Sequence, residues 1–258
     1  MKTTLFQIMF WLALGAVVTC ASAESPATIY ETTLMESGQK TLEVSTNELR
    51  KILAEKSATV FDARPVMEYS MSHIPGAINV SEKPGVPISQ YVSDVAEVGR
   101  VVGNNRSAPI VLYCNGPFCG KSKRLSKELI AAGYTNVRRY QLGIPTWRAL
   151  VGVTEIELAG VLHVLEKDKT AVFLDARGPE EFKAGSIPAA RNVTVADVKK
   201  AKDDGRLPME DHNTRIIVFG RDGAQARAVT EAIAKEAFHN VAYFGGRFDD
   251  LRPKIAGK

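Results

Sequence analysis

The stretch VFDARPVMEYSMSHIPGAINV, residues 60–80, recurs without a gap as FLDARGPEEFKAGSIPAARNV, residues 173–193. Asp62-Ala63-Arg64 answers Asp175-Ala176-Arg177, Glu68-Tyr69 answers Glu181-Phe182, and Ile74-Pro75 answers Ile187-Pro188. Agreement continues downstream, where IVLYC (110–114) answers IIVFG (216–220) and SKRLSKELIAAGYTNVRRY answers ARAVTEAIAKEAFHNVAYF. Matches in register over this distance are the signature of an internal duplication, so the chain carries two copies of one domain.

Each copy reads as helix, buried strand, turn, short strand, buried strand, tight loop, helix and strand. Ser45-Thr46-Asn47-Glu48 and Thr154-Glu155-Ile156-Glu157 both have the capping-box pattern expected at the start of an opening helix. The apolar runs VFDA, AVFLDA, PIVLY and RIIVF suit strands covered on both faces, as in a parallel sheet. The expected class is therefore α/β. Residues 24–40 read as a poorly ordered lead-in or an added strand, 41–150 as the first domain and 151–258 as the second, with the boundary near 148–153, after Gly143-Ile144-Pro145-Thr146-Trp147.

Residues 1–23 combine a basic start at Lys2, an apolar run from Leu5 to Val18 and small residues at Ala21 and Ala23. This is the layout of a secretory signal cleaved before Glu24, and it predicts a periplasmic or secreted protein with no membrane span after cleavage. A retained anchor and lipidation at Cys20 are the rival readings; the run is short for a span, and Thr19 is a poor neighbour for lipidation. Among 258 residues the formal net charge is +4, from interspersed lysines and acids without a basic block. That pattern argues against nucleic acid as the main partner. Two cysteines remain after cleavage, too few for a disulfide framework. The scattered His73, His163, His212 and His239 do not make up the roughly four ligands of a zinc site, so neither metal nor cofactor is expected.

The two cysteines lie in LYCNGPFCGKSK, residues 112–123. Cys114 ends an apolar strand, and Asn115, Gly116, Pro117, Phe118, Cys119, Gly120, Lys121 and Ser122 lead into the next helix. Gly116 and Gly120 permit a tight curl, and Pro117 restricts it. Backbone N–H groups at the helix start lack intrahelical acceptors, and a sulfur held among them is stabilised as an anion. Lys121 and Lys123 add positive charge, although lysines at a helix start are commonly just solvated. The plain alternative for Cys114, a small buried hydrophobe, does not explain the Gly-Pro turn.

A strand ending in Asp-x-Arg, then Glu-Tyr, His-Ile-Pro-Gly-Ala, a cysteine loop opening a helix, and Gly-Ile-Pro-x-Trp together resemble the rhodanese family, twice over, in its tandem two-domain form. The resemblance implies a central parallel sheet flanked by helices in each domain. It also implies sulfurtransferase chemistry, with Cys114 as the catalytic nucleophile, passing through a persulfide between a small sulfur-containing anion and a thiol or cyanide acceptor. Arg64 is then a candidate contact to an anionic substrate, set against a shared structural role because Arg177 repeats it; Lys121 is a second candidate. His73 and Glu68 read as architectural. Two departures stand out. The cysteine lies in the first domain, with Gly220 at the matching place in the second, in a loop shorter by about two residues; and CNGPFC matches no loop associated with one donor. The second domain is left a packing role, or the binding of a periplasmic protein partner. Phosphatase or arsenate reductase chemistry, found on the same fold, is disfavoured because Gly120 stands where an anion-clamping arginine is expected. A non-enzymatic binding or thiol redox-sensing module is the competing class. Cys119, across four residues from Cys114, is a candidate resolving thiol within disulfide reach of it.

Overall fold

A computed structural model describes residues 28–81, 94–117, 119–150 and 152–255. The N-terminal segment read as a signal lies outside the described residues, and among those described no helix is long and apolar enough to cross a membrane.

In the first domain β1 (Leu42–Glu43), β2 (Thr59–Asp62), β3 (Ile78–Asn79), β4 (Ile110–Tyr113) and β5 (Val137–Tyr140) form one parallel sheet in the order β1-β5-β4-β2-β3. Its connections include α1 (Thr46–Glu55), α2 (Val66–Met71), α3 (Asp94–Val101) and α4 (Gly120–Ala131), and α5 (Gly143–Ala149) follows β5. The second domain repeats this with β6 (Thr154–Ile156), β7 (Val172–Asp175), β8 (Arg191–Asn192), β9 (Ile216–Phe219) and β10 (Val241–Phe244), in the order β6-β10-β9-β7-β8. Its helices are α6 (Leu158–Lys167), α7 (Pro179–Lys183), α8 (Val198–Asp203), α9 (Gly223–Ala234) and α10 (Phe248–Ile255).

Both faces of each sheet are covered. Val60, Val111, Tyr113 and Tyr140 pack with Leu49 and Ile52 of α1 and Ile144 and Trp147 of α5. Phe61, Ile110, Leu112 and Val137 pack with Val98 of α3 and Leu125 and Leu129 of α4. Successive strand residues thus serve opposite cores, which is why the strands read as unbroken apolar runs rather than as an alternation. Burying a Phe or Leu side chain in such a core contributes about 1.5–3 kcal/mol.

The structure corrects the expected starts of the domains. Ser45 is a true capping box: its side chain accepts from the Glu48 N–H, and Glu48 accepts from the Ser45 N–H. Thr154-Glu155-Ile156, however, is strand β6, and α6 begins only at Leu158. Thr154 and Ile156 are buried and the Thr154 hydroxyl donates to Val241 O at 3.1 Å, so this Thr-x-x-Glu belongs to a sheet edge. Each domain opens on a short strand beside its last strand. The lead-in contains no strand between residues 28 and 41, yet it is tied down: Tyr30 O accepts from Asn47 N, the Arg50 guanidinium sits 5.0 Å from the Tyr30 ring, and Glu36 pairs with Lys123 and Arg139.

The domains meet through main chain. His73 and Glu155 exchange two backbone hydrogen bonds of 2.9 Å, and Glu157 N donates to Ser70 O at 2.8 Å. Gly160 lets α6 approach, since a Cβ there would lie 2.1 Å from Ser70 O.

Candidate active site in the cysteine loop

In the first sheet the chain leaves β2 toward β3 on one side and leaves β4 toward β5 on the other, and β7 and β9 repeat this in the second sheet. Loops following β2 and β4 therefore emerge side by side at a switch point, the customary place for a site on a parallel sheet. Cys114 lies directly after the buried β4 and is itself only 2 % exposed. The next residues curl back: Cys119 N donates to Gly116 O at 3.0 Å, and Gly116 has φ +102°, a conformation natural only for glycine. Cys119 is the N-cap of α4, whose first N–H groups lack intrahelical acceptors. The curl brings Cys114 and Cys119 to a Cα separation of 6.1 Å, and the two are joined as a disulfide.

Two neighbours hold the loop. Asn115 Nδ2 donates to Glu68 Oε2 at 2.6 Å, tying it to α2. From below, Ile144 N donates to Cys114 O at 3.2 Å, and Gly143, with φ +67°, lies so close that a Cβ would sit 2.3 Å from Gly116 N and 2.6 Å from Cys114 O. This contact explains the glycine of the Gly-Ile-Pro-x-Trp motif.

Arg64 is buried and its guanidinium is committed. Nε and one terminal nitrogen donate to the Asp62 carboxylate at 3.0 and 2.6 Å, and that nitrogen also donates to Ser72 O at 2.6 Å. Arg177 repeats the arrangement on Asp175 and Gly185 O. Desolvation acts to lower the Arg64 pKa, but Asp62 outweighs it and holds the group above its ordinary value. Removing one member of such a buried pair strands the other, at a cost of about 3–5 kcal/mol.

Of the remaining expected site residues, Pro117, Gly120 and Lys121 are exposed, and Ser122 is buried, accepting weakly from Arg139 at 3.4 Å. Phe118 lies outside the described residues. Lys123 is taken up by Glu36 of the lead-in, which together with Arg139 holds the Glu36 carboxyl below its usual range. His73 lies at the domain junction, exchanging backbone hydrogen bonds with Glu155. Its ring stacks on Tyr69 at 3.9 Å, and burial pushes its pKa down despite Glu155 and Glu157 nearby.

Four residues escaped the sequence reading. Asn79 donates to Asp62 O and Arg64 O at 3.1 and 2.8 Å, clamping the Asp-x-Arg turn, and Asn192 does the same for Asp175 O and Arg177 O. Their recurrence within the repeat was a signal available to find them. Glu36 had none. Gln141 is 3 % exposed with neither amide atom hydrogen-bonded; it follows Tyr140, the register partner of Tyr113, and so lies alongside Cys114.

Residues 45–150 and 159–251 each match the rhodanese-like domain, and the chain belongs to that family. A putative thiosulfate sulfurtransferase, SseB, of Mycobacterium tuberculosis (strain ATCC 25618 / H37Rv) is 29% identical over 218 residues, covering 64% of this chain and 75% of that protein. A putative mitochondrial thiosulfate sulfurtransferase of Schizosaccharomyces pombe is 27% identical over 101 residues, covering 35% of this chain and 70% of that one. Among solved structures, a thiosulfate sulfurtransferase from Pseudomonas aeruginosa is 22% identical with a TM-score of 0.36, and this chain spans 42% of it while 82% of this chain is covered.

Proposed function

We propose that the protein is a sulfurtransferase. Cys114, as thiolate, attacks the sulfane sulfur of a small anionic donor such as thiosulfate, carries it as a persulfide, and yields it to a thiophilic acceptor such as a thiol or cyanide. The observation that carries this reading is the placement of Cys114 at the C-terminal end of the central strand, in a curl that ends on the first turn of α4. Backbone N–H groups and the positive end of the helix dipole favour negative charge there, on thiolate and persulfide alike. Family membership and relatives named as thiosulfate sulfurtransferases support the same chemistry. Arg64 is assigned to bracing, since Arg177 holds the same bonds beside a loop without cysteine.

The nucleophile works in the reduced protein, because the disulfide occupies it. Export to the periplasm or beyond, supported by the layout of residues 1–23, is part of the proposal. The test is to mix fully reduced protein with thiosulfate and read sulfite release and intact mass. Wild type should release sulfite and Cys114→Ser should not; equal release by both would discard the assignment.

A further inference from the structure

The loop contains a second sulfur bonded to the first, and the second domain contains neither. We infer that Cys119 resolves the Cys114 persulfide, so that the protein reduces sulfane sulfur to sulfide at the expense of a dithiol. This rests on the persulfide reading above and adds to it a different fate for the sulfur.

The fate of the persulfide depends on which of its sulfur atoms Cys119 can reach. A persulfide offers two electrophilic sulfurs. Attack on the outer one transfers it to the attacker; attack on the inner one, Cys114 Sγ, expels it as sulfide. The fold places Cys119 where it bonds to Cys114 Sγ, with Cα atoms 6.1 Å apart, inside the range of roughly 4.4–6.8 Å that a disulfide spans. The Cys119 N–H to Gly116 O bond and the positive φ of Gly116 hold the curl that creates this separation. Cys119 is thereby matched to the inner sulfur, leaving the outer one to external acceptors.

The Cys114 thiolate attacks the outer sulfur of thiosulfate; a Cys114–sulfur bond forms, the donor's sulfur–sulfur bond breaks, and sulfite leaves with the electron pair. The Cys119 thiol gives up its proton and attacks Cys114 Sγ; the disulfide forms, the bond from Sγ to the sulfane sulfur breaks, and hydrosulfide leaves with the pair and a proton. Two electrons pass from the two cysteines to the sulfane sulfur. A dithiol, small or protein-borne, then attacks the disulfide and closes its own, returning two reduced cysteines. Net, thiosulfate and a dithiol give sulfite, hydrosulfide, a disulfide and one proton. Accessibility suits the last step: Cys114 is buried whereas Cys119 is partly exposed, so the reductant meets Cys119 and Cys114 departs.

The decisive experiment is a single turnover without external thiol. Protein is reduced, freed of reductant under anaerobic conditions and given one equivalent of thiosulfate. Wild type should release sulfide equal to its sulfite and finish lighter by two hydrogens. Cys119→Ser should release sulfite but no sulfide and finish heavier by one sulfur, which added cyanide recovers as thiocyanate. Wild type that releases sulfite yet retains the extra sulfur overturns the inference and leaves sulfur transfer standing, whereas no sulfite from either protein removes the transfer reading with thiosulfate. A second arm needs no donor. Sulfide added to the oxidised wild type should open the disulfide to a thiol and one cyanide-reactive persulfide, raising the mass by one hydrogen sulfide; a disulfide that sulfide leaves intact overturns the inference.

Discussion

The two domains make the same site twice and complete it once. In both, an asparagine clamps an Asp-x-Arg turn, the arginine bonds its aspartate and a carbonyl eight residues on, and the residue after the central strand gives its carbonyl to an N–H beyond the last strand: Cys114 to Ile144, Gly220 to Phe248. Even the tether to the second helix recurs, as Asn115 on Glu68 and Arg221 on Glu181. What differs is chain length. Six positions separate Cys114 from the first residue of α4, and three separate Gly220 from that of α9. Because α9 starts one residue earlier than α4 in the register that sets buried Ser122 against Ala226, the loop itself is shorter by two residues. In the short loop Asp222 caps α9, accepting from Gln225 N at 2.8 Å, so the helix start is already occupied by a carboxylate of the chain itself. The scaffold is thus indifferent to the chemistry, and the loop decides it.

The largest expected effect follows from that. In a Cys114→Ser background, Gly220→Cys should restore no persulfide formation, leaving activity lower than wild type by roughly three orders of magnitude or more, as for loss of a catalytic nucleophile. A side chain at Gly220 would meet Gln225 Oε1, Ala226 N and Asp222 O at 3.0–3.2 Å, with no curl to receive a sulfane sulfur. Restored sulfite release, measured with thiosulfate, would show that loop length is irrelevant. Replacing residues 220–223 by the six-residue Cys-Asn-Gly-Pro-Phe-Cys sequence is the complementary gain-of-function trial.

Next in size is the floor of the loop. Arg247 is the counterpart of Gly143 in the second domain, and only the long loop crowds that position. Gly143→Ala should cost about 2–4 kcal/mol, because both the backbone conformation and the space forbid a Cβ. Arg247→Ala, at an exposed ion pair, should change stability by less than about 0.5 kcal/mol. Urea midpoints check both; similar losses would mean that the glycine serves something other than the loop.

How much of this could be read from the chain follows the same division. The Asp-x-Arg repeat announced two domains because a buried pair and its clamp must be spelled out in residues wherever the fold is used. Cys114 was legible because glycine and proline punctuate its loop. Glu36 was not, since a carboxylate in an irregular lead-in carries no local pattern, and its pairing with Lys123 and Arg139 is a contact across 87 residues or more. β6 was misread because Thr-x-x-Glu is also a short strand with one residue pointing out, and only its neighbour β10 decides between them.

A smaller effect concerns the equivalent positions His73 and Ser186. Ser186 donates to Asp175 at 2.7 Å and does not titrate near neutrality, whereas His73 is buried among Tyr69, Glu155, Glu157 and Asp62 with its pKa lowered by desolvation. The folded state therefore holds fewer protons on this ring than the unfolded chain does. Its contribution is fully present above the unfolded value near ~6.5 and is lost as pH falls from there through the depressed folded value. His73→Ser should flatten the fall of the urea midpoint on acidification in that window, whatever it does to stability at higher pH. An unchanged slope would place the acid sensitivity elsewhere.

The smallest expected effect tests whether charge at the helix start helps the donor arrive. In the register that sets buried Ser122 against Ala226, α4 has Lys121 and Lys123 where α9 has Gln225 and Arg227. Lys123 is bound to Glu36, so its charge is already answered, while Lys121 is exposed beside the loop. An exposed charge acts on an incoming anion through solvent, over a Debye length of about 10 Å at 0.1 M salt. Lys121→Ala should therefore lower kcat/KM for an anionic donor by roughly two- to fivefold at low ionic strength, mostly through association. An uncharged sulfane donor should be unaffected, and high salt should erase the difference between variant and wild type. Equal losses for both donors would mean that the lysine shapes the loop rather than the field, and Ala224→Lys, which charges the silent loop, should alter neither.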